Sequence, residues 1–338
     1  FNSRMIISSA FSQWGSVDHS RARVIGDLRS VMAKFMGRTP PKYDDTYALL
    51  GDLRRTSGTG VWKSFDGGAL RIRVYLIGTV HLEIHPDMSW RLNQVLAYLY
   101  PAAIPSELRQ APSRKPKNVP LMERPLPFAV LEVIRSMTGD RVKKGVRTFG
   151  YGQDKTTVAF SEAKRVLASL GAAVDNVGAQ FDYDPSDTIG ELIRHGCVPD
   201  QISHQFYPTP PLIAADAVAL AEIGPDDHVL EPSAGNGDIA ALLPSERTTC
   251  VEIADLRCSV LKARGLTVKQ ADFLKWKPEQ NEAPITRIVM NPPFADGRAA
   301  AHVEHAYSLL QPGGRLVAVL PASFKGKQPV GGDLRDRP

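Results

Sequence analysis

The sequence predicts an α/β fold, in which a Rossmann-like parallel sheet in the C-terminal part of the chain follows an α+β region. From residue 204 onward, short apolar segments recur at 229–231, 249–253, 268–271, 287–290 and 316–320. Helix-like sequence separates most of them, which is typical of a parallel sheet. The first segment runs into a glycine-containing turn, and polar residues stand at or just after the ends of the first four. This pattern predicts a ligand site at the carboxyl edge of the sheet.

The first 203 residues predict a different organisation. Apolar residues at helical spacing predict helices at 21–36, 46–55 and 90–99, and alternation predicts a two-stranded hairpin at 71–84. Residues 105–127 are rich in proline and positive charge and predict a linker or an extended arm. Further helices are expected at 126–137 and 161–170, with a glycine-aromatic loop at 148–152. We therefore expect an N-terminal accessory domain of helices and a hairpin (1–125), a basic helical connector (126–203) and the α/β domain (204–338).

Composition narrows the class of protein. The chain has 338 residues, 43% of them hydrophobic, and no apolar run approaches the length needed to cross a bilayer. Cys197, Cys250 and Cys258 share no metal-ligand spacing. They predict reduced thiols in a cytoplasmic protein and no structural zinc site.

Positive charge is concentrated in one region of the chain. The formal net charge is +5, and the basic excess lies between residues 105 and 155. Such a cluster attracts polyanions through counterion release, although a solvated linker accounts for the composition equally well. The residues predicted to contact nucleic acid are Arg114, Lys115, Lys117, Lys143, Lys144 and Arg147.

The turn after the first strand of the α/β domain has the features of a ligand-binding loop. Glycines let the backbone turn tightly and approach a ligand closely. The turn lacks the lysine of a phosphate-binding loop, and Glu231 ends the strand where a cationic ligand would lie. The ligand-binding residues expected here are Glu231, Pro232, Ser233, Gly235 and Gly237.

The next two strands also end near acids. Glu252, followed by Ile253, ends the second strand, where a carboxylate can hold two ribose hydroxyls. Asp272 follows the third strand and could accept a hydrogen bond from an adenine amine, while Phe273 packs near the ring. One acid at a strand end is often only a helix cap, but two on successive strands after a glycine turn favour a site.

The fourth strand ends in Asn291, Pro292, Pro293 and Phe294, the most specific pattern in the chain. Two prolines make the turn rigid and fix its flanking side chains. The Asn291 amide oxygen and the Pro292 carbonyl could accept both hydrogens of a planar amine, and Phe294 could stack on a base. This would position the amine without a strong base. The competing interpretation is an ordinary proline turn.

These residues resemble class I methyltransferases and, more narrowly, the N6-adenine DNA methyltransferases. In that family an acidic strand followed by Ser-Ala-Gly-x-Gly and the tetrapeptide Asn-Pro-Pro-Phe are hallmark motifs. The upstream run 204–210, His-Gln-Phe-Tyr-Pro-Thr-Pro, is similar to a segment that lines the methionine end of the cofactor in family members. The resemblance therefore implies cofactor contacts for Tyr207, Pro208 and Thr209. It covers about 205–325, in the γ order of motifs, and implies S-adenosylmethionine as cofactor.

The resemblance implies methylation of the adenine N6 amine in double-stranded DNA, with base flipping and low sequence specificity. Residues 62–106 also resemble a domain of unassigned function that accompanies methyltransferases of phage and plasmid origin, whose role in restriction-modification would be protection of DNA. The sequence departs from the family in two ways. The final antiparallel hairpin is not visible after Leu320, and no target-recognition domain follows the catalytic core. Two alternatives stay open: an RNA methyltransferase, acting on guanine N2 or adenine N6, and a non-catalytic DNA-binding protein that retains the cofactor fold.

Three further groups of potential metal ligands have simpler explanations. His81, Glu83 and His85 alternate on one strand face, which is typical of a solvated hairpin. His302 and His305 lack a third ligand on their helix, and Asp182, Asp184 and Asp187 lack calcium-loop spacing. No metal is expected.

Overall fold

The computed structural model describes residues 4–56, 59–111, 123–199, 206–294 and 297–321. The N-terminal part combines three helices with a four-stranded antiparallel sheet in the order β1-β4-β3-β2. Its elements are β1 (Met5–Ile7), α1 (His19–Phe35), α2 (Tyr43–Thr56), β2 (Lys63–Phe65), β3 (Leu70–Val74), β4 (Val80–Ile84) and α3 (Pro86–Leu99). The expected hairpin is therefore the β3–β4 pair, but it is only half of the sheet. β1 and β2 have three residues each, too few for a recognisable alternation.

The middle part is not only helical, which corrects the expected connector. Its elements are β5 (Glu123–Pro125), α4 (Phe128–Arg135), β6 (Thr138–Gly139), β7 (Val146–Thr148), α5 (Val158–Ser169), β8 (Ala173–Val174), β9 (Gly178–Gln180), α6 (Ser186–His195) and β10 (Cys197–Pro199). Strands β6 to β9 form a second antiparallel sheet, and β5 pairs with β10. Strands of two or three residues leave no periodic signal in the sequence.

The C-terminal part is the predicted Rossmann-like α/β sheet. Its elements are α7 (Pro211–Leu220), β11 (Val229–Pro232), β12 (Thr248–Glu252), α8 (Asp255–Ala263), β13 (Thr267–Gln270), β14 (Arg287–Met290), α9 (Arg298–Leu309) and β15 (Arg315–Ala318). The five strands are parallel in the order β13-β12-β11-β14-β15. The strand order reverses beside β11, and ligands bind at such a switch point in open α/β sheets. Residues 322–338, where the final hairpin was sought, lie outside the described residues.

The middle part packs directly against the C-terminal part. One hydrophobic core joins α4, α5 and α6 to Leu256 and Val260 of α8. Asn236, in the glycine turn, donates a hydrogen bond to the Ser169 carbonyl, 2.8 Å away. The middle part therefore supports the helix and the turn that follow β12 and β11. No helix within the described ranges combines the length and the apolar character needed to span a bilayer.

Gly237 provides a test of how tightly this turn is packed. Its φ is +85°, and a Cβ there would lie 2.7 Å from the Leu261 side chain in the core. We expect Gly237→Ala to lower the free energy of unfolding by about 2–4 kcal/mol, because overpacking adds to the left-handed strain. Gly265→Ala is the matched control, with φ +80° and open space around its Cβ. It should cost only about 1–2 kcal/mol. Urea unfolding measures both, and equal losses would contradict this account of the packing.

Candidate active site

A cavity of about 250 Å³ opens at the carboxyl edge of the parallel sheet. It lies where β11, β12, β13 and β14 end, as the strand pattern predicts. The predicted residues that line it are Tyr207, Thr209, Glu231, Ser233, Glu252, Ile253, Asp272, Phe273, Asn291, Pro292, Pro293 and Phe294. The sheet therefore brings together the four strand ends and the upstream segment at 207–209.

Four predicted residues do not line the cavity. Pro208 is exposed and Pro232 is buried at the end of β11. Gly235 and Gly237 shape the turn through their backbone. A Cβ on Gly235 would lie 2.4 Å from the Phe206 ring, so this glycine lets the aromatic ring pack on the turn. Ser233 borders the cavity with φ +55°, a strained backbone of the kind that concentrates at functional sites.

Glu231 is a buried acid with unused hydrogen-bonding capacity. Its side chain is 3% exposed, and its carboxylate accepts a hydrogen bond from the Ala240 amide. Within the described part of the chain, its Oε2 atom has no hydrogen-bond partner. Burial, followed by the charge of Asp238, raises its pKa well above the usual value for glutamate. Because a cation in the cavity would restore the ionised form, the site is suited to a positively charged ligand.

Glu252 holds the glycine turn in place. Its Oε2 accepts a hydrogen bond from the Gly235 amide and its Oε1 accepts one from the Ala254 amide, both at 2.9 Å. Each carboxylate oxygen has a second acceptor position. The predicted ribose contact is therefore compatible with these bonds, but the carboxylate also has a structural role that the sequence did not reveal.

Asp272 and Phe273 have similar double roles. Asp272 caps a short 3-10 helix by accepting a hydrogen bond from the Leu274 amide, and it forms an ion pair with Lys275. Phe273 is 3% exposed and packs against His302 and His305. Each residue borders the cavity while belonging to the supporting structure.

The turn after β14 carries an unsatisfied acceptor on a residue that lines the cavity. The Asn291 Nδ2 atom donates to Thr209 Oγ1 at 3.0 Å and to the Tyr207 carbonyl at 3.4 Å. A carbonyl only accepts hydrogen bonds, so the amide nitrogen must face it. The Asn291 Oδ1 atom is buried and has no partner among the described residues. A ligand that donates a hydrogen bond would satisfy it.

The segment 207–209 joins the first and fourth strand ends. The Thr209 amide donates a hydrogen bond to Asp238 Oδ2 at 2.9 Å, beyond the glycine turn. The Tyr207 ring lies nearly parallel to that of Phe294, with centroids 6.2 Å apart and planes 16° apart. The two aromatic rings therefore form one side of the cavity beside Asn291.

Several lining residues were not predicted. Asp238 follows Gly237 directly and could have been included with the turn. Arg257 gives no signal in the sequence. Its buried guanidinium lies 4.0 Å over the Phe206 ring and 3.9 Å from Glu252 Oε1. Arg298 and His302, on α9, also border the cavity.

In the three groups of histidines and acids, five side chains contact protein groups outside their own set. His302 Nδ1 contacts the Arg298 carbonyl and His305 Nε2 contacts the Trp276 carbonyl, each at 2.9 Å. Burial lowers the His302 pKa below its usual value. Glu83 pairs with two arginines, and Asp182 and Asp184 pair with different arginines.

Among the predicted nucleic-acid residues that the structure describes, Lys143, Lys144 and Arg147 do not line the cavity. Lys143 and Lys144 are exposed. The Arg147 guanidinium is 11% exposed, contacts Asp184 at 3.3 Å and donates to Ser186 Oγ at 2.7 Å. It supports the loop at 184–186 as well as carrying charge. Arg114, Lys115 and Lys117 lie outside the described residues.

Comparisons with known proteins found structural likeness to parts of methyltransferases. A 23S rRNA methyltransferase, ErmE, aligns at 23% identity and a TM-score of 0.28, over 35% of this chain and 49% of that one. The glycopeptide N-methyltransferase MtfA aligns at 16% identity and a TM-score of 0.28, over 33% of this chain and 54% of that one. The CcbJ methyltransferase from Streptomyces caelestis aligns at 18% identity and a TM-score of 0.27, over 34% of this chain and 53% of that one. The chain thus spans about half the length of these proteins. No protein-family model and no curated protein matches the chain.

Proposed function

We propose that this chain is an S-adenosylmethionine-dependent methyltransferase that acts on the N6 amine of adenine in DNA. The observation that carries the proposal is a pair of buried acceptors without partners among the described residues, Glu231 Oε2 and Asn291 Oδ1, on two residues that line one cavity. Glu231 Oε2 suits the cationic amino-acid end of the cofactor. Asn291 Oδ1 suits an amine of the substrate.

The residues present fit the cofactor. Glu231 would accept from its ammonium group, and Glu252 would use its second acceptor positions for the ribose hydroxyls. Asp272 and Phe273 would border its adenine. When bound, S-adenosylmethionine supplies an electrophilic methyl group on a sulfonium centre.

The residues of the chain would position the target amine. Thr209 and the Tyr207 carbonyl hold the Asn291 amide nitrogen, which restricts rotation of the amide and leaves its oxygen without a partner among the described residues. That oxygen and the neighbouring Pro292 carbonyl would accept the two amine hydrogens. The nitrogen lone pair then points away from both acceptors. Such positioning is a recognised source of rate enhancement and requires no strong base.

The paired rings beside Asn291 support a flat substrate. Their centroids lie 6.2 Å apart, whereas a base stacked between them would need the two ring planes ~7 Å apart. A small opening would admit one base between Tyr207 and Phe294. A base inside a duplex cannot reach such a pocket without leaving its stack, so the proposal includes base flipping.

Removing either ring should weaken catalysis on nucleic acid. Stacking of a base on an aromatic ring contributes about 1–3 kcal/mol, so we expect Phe294→Ala and Tyr207→Ala each to lower kcat/KM by roughly 5- to 100-fold. Phe294→Trp should retain much of the activity. Tyr98→Ala, at an exposed position on α3, is the matched control and should behave as wild type. Unchanged kcat/KM in both cavity variants would contradict stacking of the substrate base on these two rings.

Labelled-methyl transfer tests which nucleic acid is the substrate. The protein is incubated with S-adenosylmethionine carrying a labelled methyl and, separately, with duplex DNA, single-stranded DNA and RNA. The proposal predicts label in DNA. Label confined to RNA would indicate the RNA methyltransferase alternative. No transfer and no calorimetric heat on adding the cofactor would indicate a non-catalytic protein.

A further inference from the structure

A compact group of side chains lies outside the cavity, where β5 pairs with β10. Glu123 begins β5, His195 ends α6 and Cys197 begins β10. Gly196, between the last two, ends α6 with φ +66° and turns the chain into the strand. We call these three side chains the Glu123–His195–Cys197 cluster. Their ligand atoms all lie within 4.8 Å of one another.

The distances within the cluster are close to those of a metal site. Cys197 Sγ lies 2.6 Å from Glu123 Oε2, and His195 Nδ1 lies 3.8 Å from that oxygen. Zinc binds sulfur, nitrogen and oxygen ligands at 2.0–2.3 Å, so tetrahedral ligand atoms are about 3.3–3.8 Å apart. The His195–Glu123 distance would shorten by about 0.4 Å to reach the ~3.4 Å expected of a nitrogen and an oxygen ligand. The Cys197–Glu123 pair would open by about 1 Å when the thiol proton leaves.

The orientation of the imidazole favours a metal ligand. His195 Nε2 faces two carboxylates, Glu191 Oε1 at 3.4 Å and Asp255 Oδ2 at 3.5 Å. Carboxylates accept hydrogen bonds, so Nε2 can donate to either of them, which would leave the Nδ1 lone pair for a cation held between Cys197 and Glu123. Metal-bound histidines are typically held this way, with the other ring nitrogen donating to a carboxylate.

The surroundings are rich in negative charge. Glu123, Glu191 and Asp255 all approach the single His195 ring, and both His195 and Cys197 are buried. Two guanidinium groups also lie nearby: Arg38 is paired with Asp66 at 3.3 Å, and Arg194 is paired with Glu191. A divalent cation would add to the positive charge facing Glu123 and would replace the thiol proton.

We propose that the Glu123–His195–Cys197 cluster is a zinc site with three protein ligands: the Cys197 thiolate, His195 Nδ1 and one oxygen of Glu123. Glu191 and Asp255 are positioning residues that orient the imidazole. A fourth coordination position stays open to water. Bound zinc would tie β5 to the α6–β10 turn, and through Asp255 to the start of α8.

The sequence hides this site because its members are distant along the chain. Glu123 and Cys197 are 74 residues apart, and the only short spacing is His-x-Cys, which is not a zinc signature by itself. The expectation of a metal-free protein rested on that missing spacing. Only the β5–β10 pairing brings the ligands together.

The test uses the full chain and metal ions alone. After chelation and reloading with zinc chloride, elemental mass spectrometry should find one zinc per chain, with a raised Tm. Cobalt loading should give a near-ultraviolet thiolate-to-cobalt absorption band. Cys250→Ala, a buried cysteine on β12, is the matched control and should keep both signals. Cys197→Ala should lose both.

A second variant distinguishes loss of zinc binding from misfolding of the chain. Glu123→Gln keeps a hydrogen-bonding group at a partly exposed position and should lower zinc affinity about 10- to 100-fold, with near-wild-type circular dichroism. Equal zinc content in Cys197→Ala and Cys250→Ala would overturn the proposal. So would a wild-type protein that retains no zinc after loading, which would leave a hydrogen-bonded cluster without a metal.

Discussion

Asn291→Ala is expected to abolish most methyl transfer while weakening cofactor binding much less. The substitution removes the acceptor Oδ1, which is buried and has no partner in the described structure. An enzyme loses about 100- to 1,000-fold in kcat when one preorganised polar contact to the reacting group is removed. Cofactor affinity should fall much less than the rate of transfer, because Asn291 contacts none of the acids that would hold the cofactor and only supports the 207–209 segment. Single-turnover transfer and calorimetry measure the two effects separately.

The matched control is Asn176→Ala. Asn176 contacts Lys164 at an exposed position and should give wild-type rates. Asn291→Asp gives additional information, because it keeps an acceptor but loses the donor to Thr209 and the Tyr207 carbonyl. We expect it to be less active than wild type and more active than Asn291→Ala. Equal loss of transfer and cofactor binding in Asn291→Ala would contradict the positioning role.

Glu231→Gln is expected to change stability and cofactor binding in opposite directions. The substitution removes a buried acid whose ionised form is disfavoured in the folded state, so the cofactor-free protein should become more stable at neutral pH. It also removes the partner of a ligand cation, and hydrogen bonds to charged groups contribute about 1.5–3 kcal/mol. Cofactor affinity should therefore fall roughly 10- to 100-fold. Thermal unfolding and calorimetry on the same preparation check both directions.

The pH dependence follows from the direction of the Glu231 pKa shift. The folded-state pKa lies well above the unfolded value, so the folded protein binds more protons between the two pKa values. The contribution of Glu231 to stability therefore falls as pH rises above the ordinary glutamate pKa toward the raised one. Cofactor affinity should rise over the same interval, because a cationic ligand requires the carboxylate. Glu231→Gln should weaken both trends.

Asp216→Asn is the matched control for this charge removal. Asp216 is exposed on α7 and does not line the cavity, so its substitution should leave both pH profiles unchanged. Reduced stability of cofactor-free Glu231→Gln at neutral pH would contradict the assignment of a buried, uncompensated acid. Wild-type cofactor affinity in that variant would show that Glu231 does not contribute to cofactor binding.

The parallel sheet was predictable because its signal is local. β14 begins and ends where the apolar segment 287–290 does, and the polar strand ends identify most of the cavity. Parallel strands buried on both faces produce continuous apolar runs, so each strand can be recognised without its partners. The Rossmann-like class followed from five such runs.

The remaining structure depends on contacts between distant residues. β1 pairs with β4 across more than seventy residues, from Met5 to Leu82, and neither periodicity nor turn chemistry indicates this pairing. Arg257 reaches the cavity from α8, with its guanidinium over the Phe206 ring. Glu252 and Asp272 were identified as site residues, but their backbone hydrogen bonds depend on exact geometry. Composition and spacing do not specify such geometry.

The most direct test of the central claim is nucleoside mass spectrometry of DNA after reaction with the protein and S-adenosylmethionine. We expect N6-methyladenine as the product, formed by wild type and reduced at least ~100-fold with Asn291→Ala. A methylated cytosine or guanine in its place would contradict the assignment of adenine. Unmodified DNA from a preparation that binds the cofactor would contradict the assignment of DNA as the substrate.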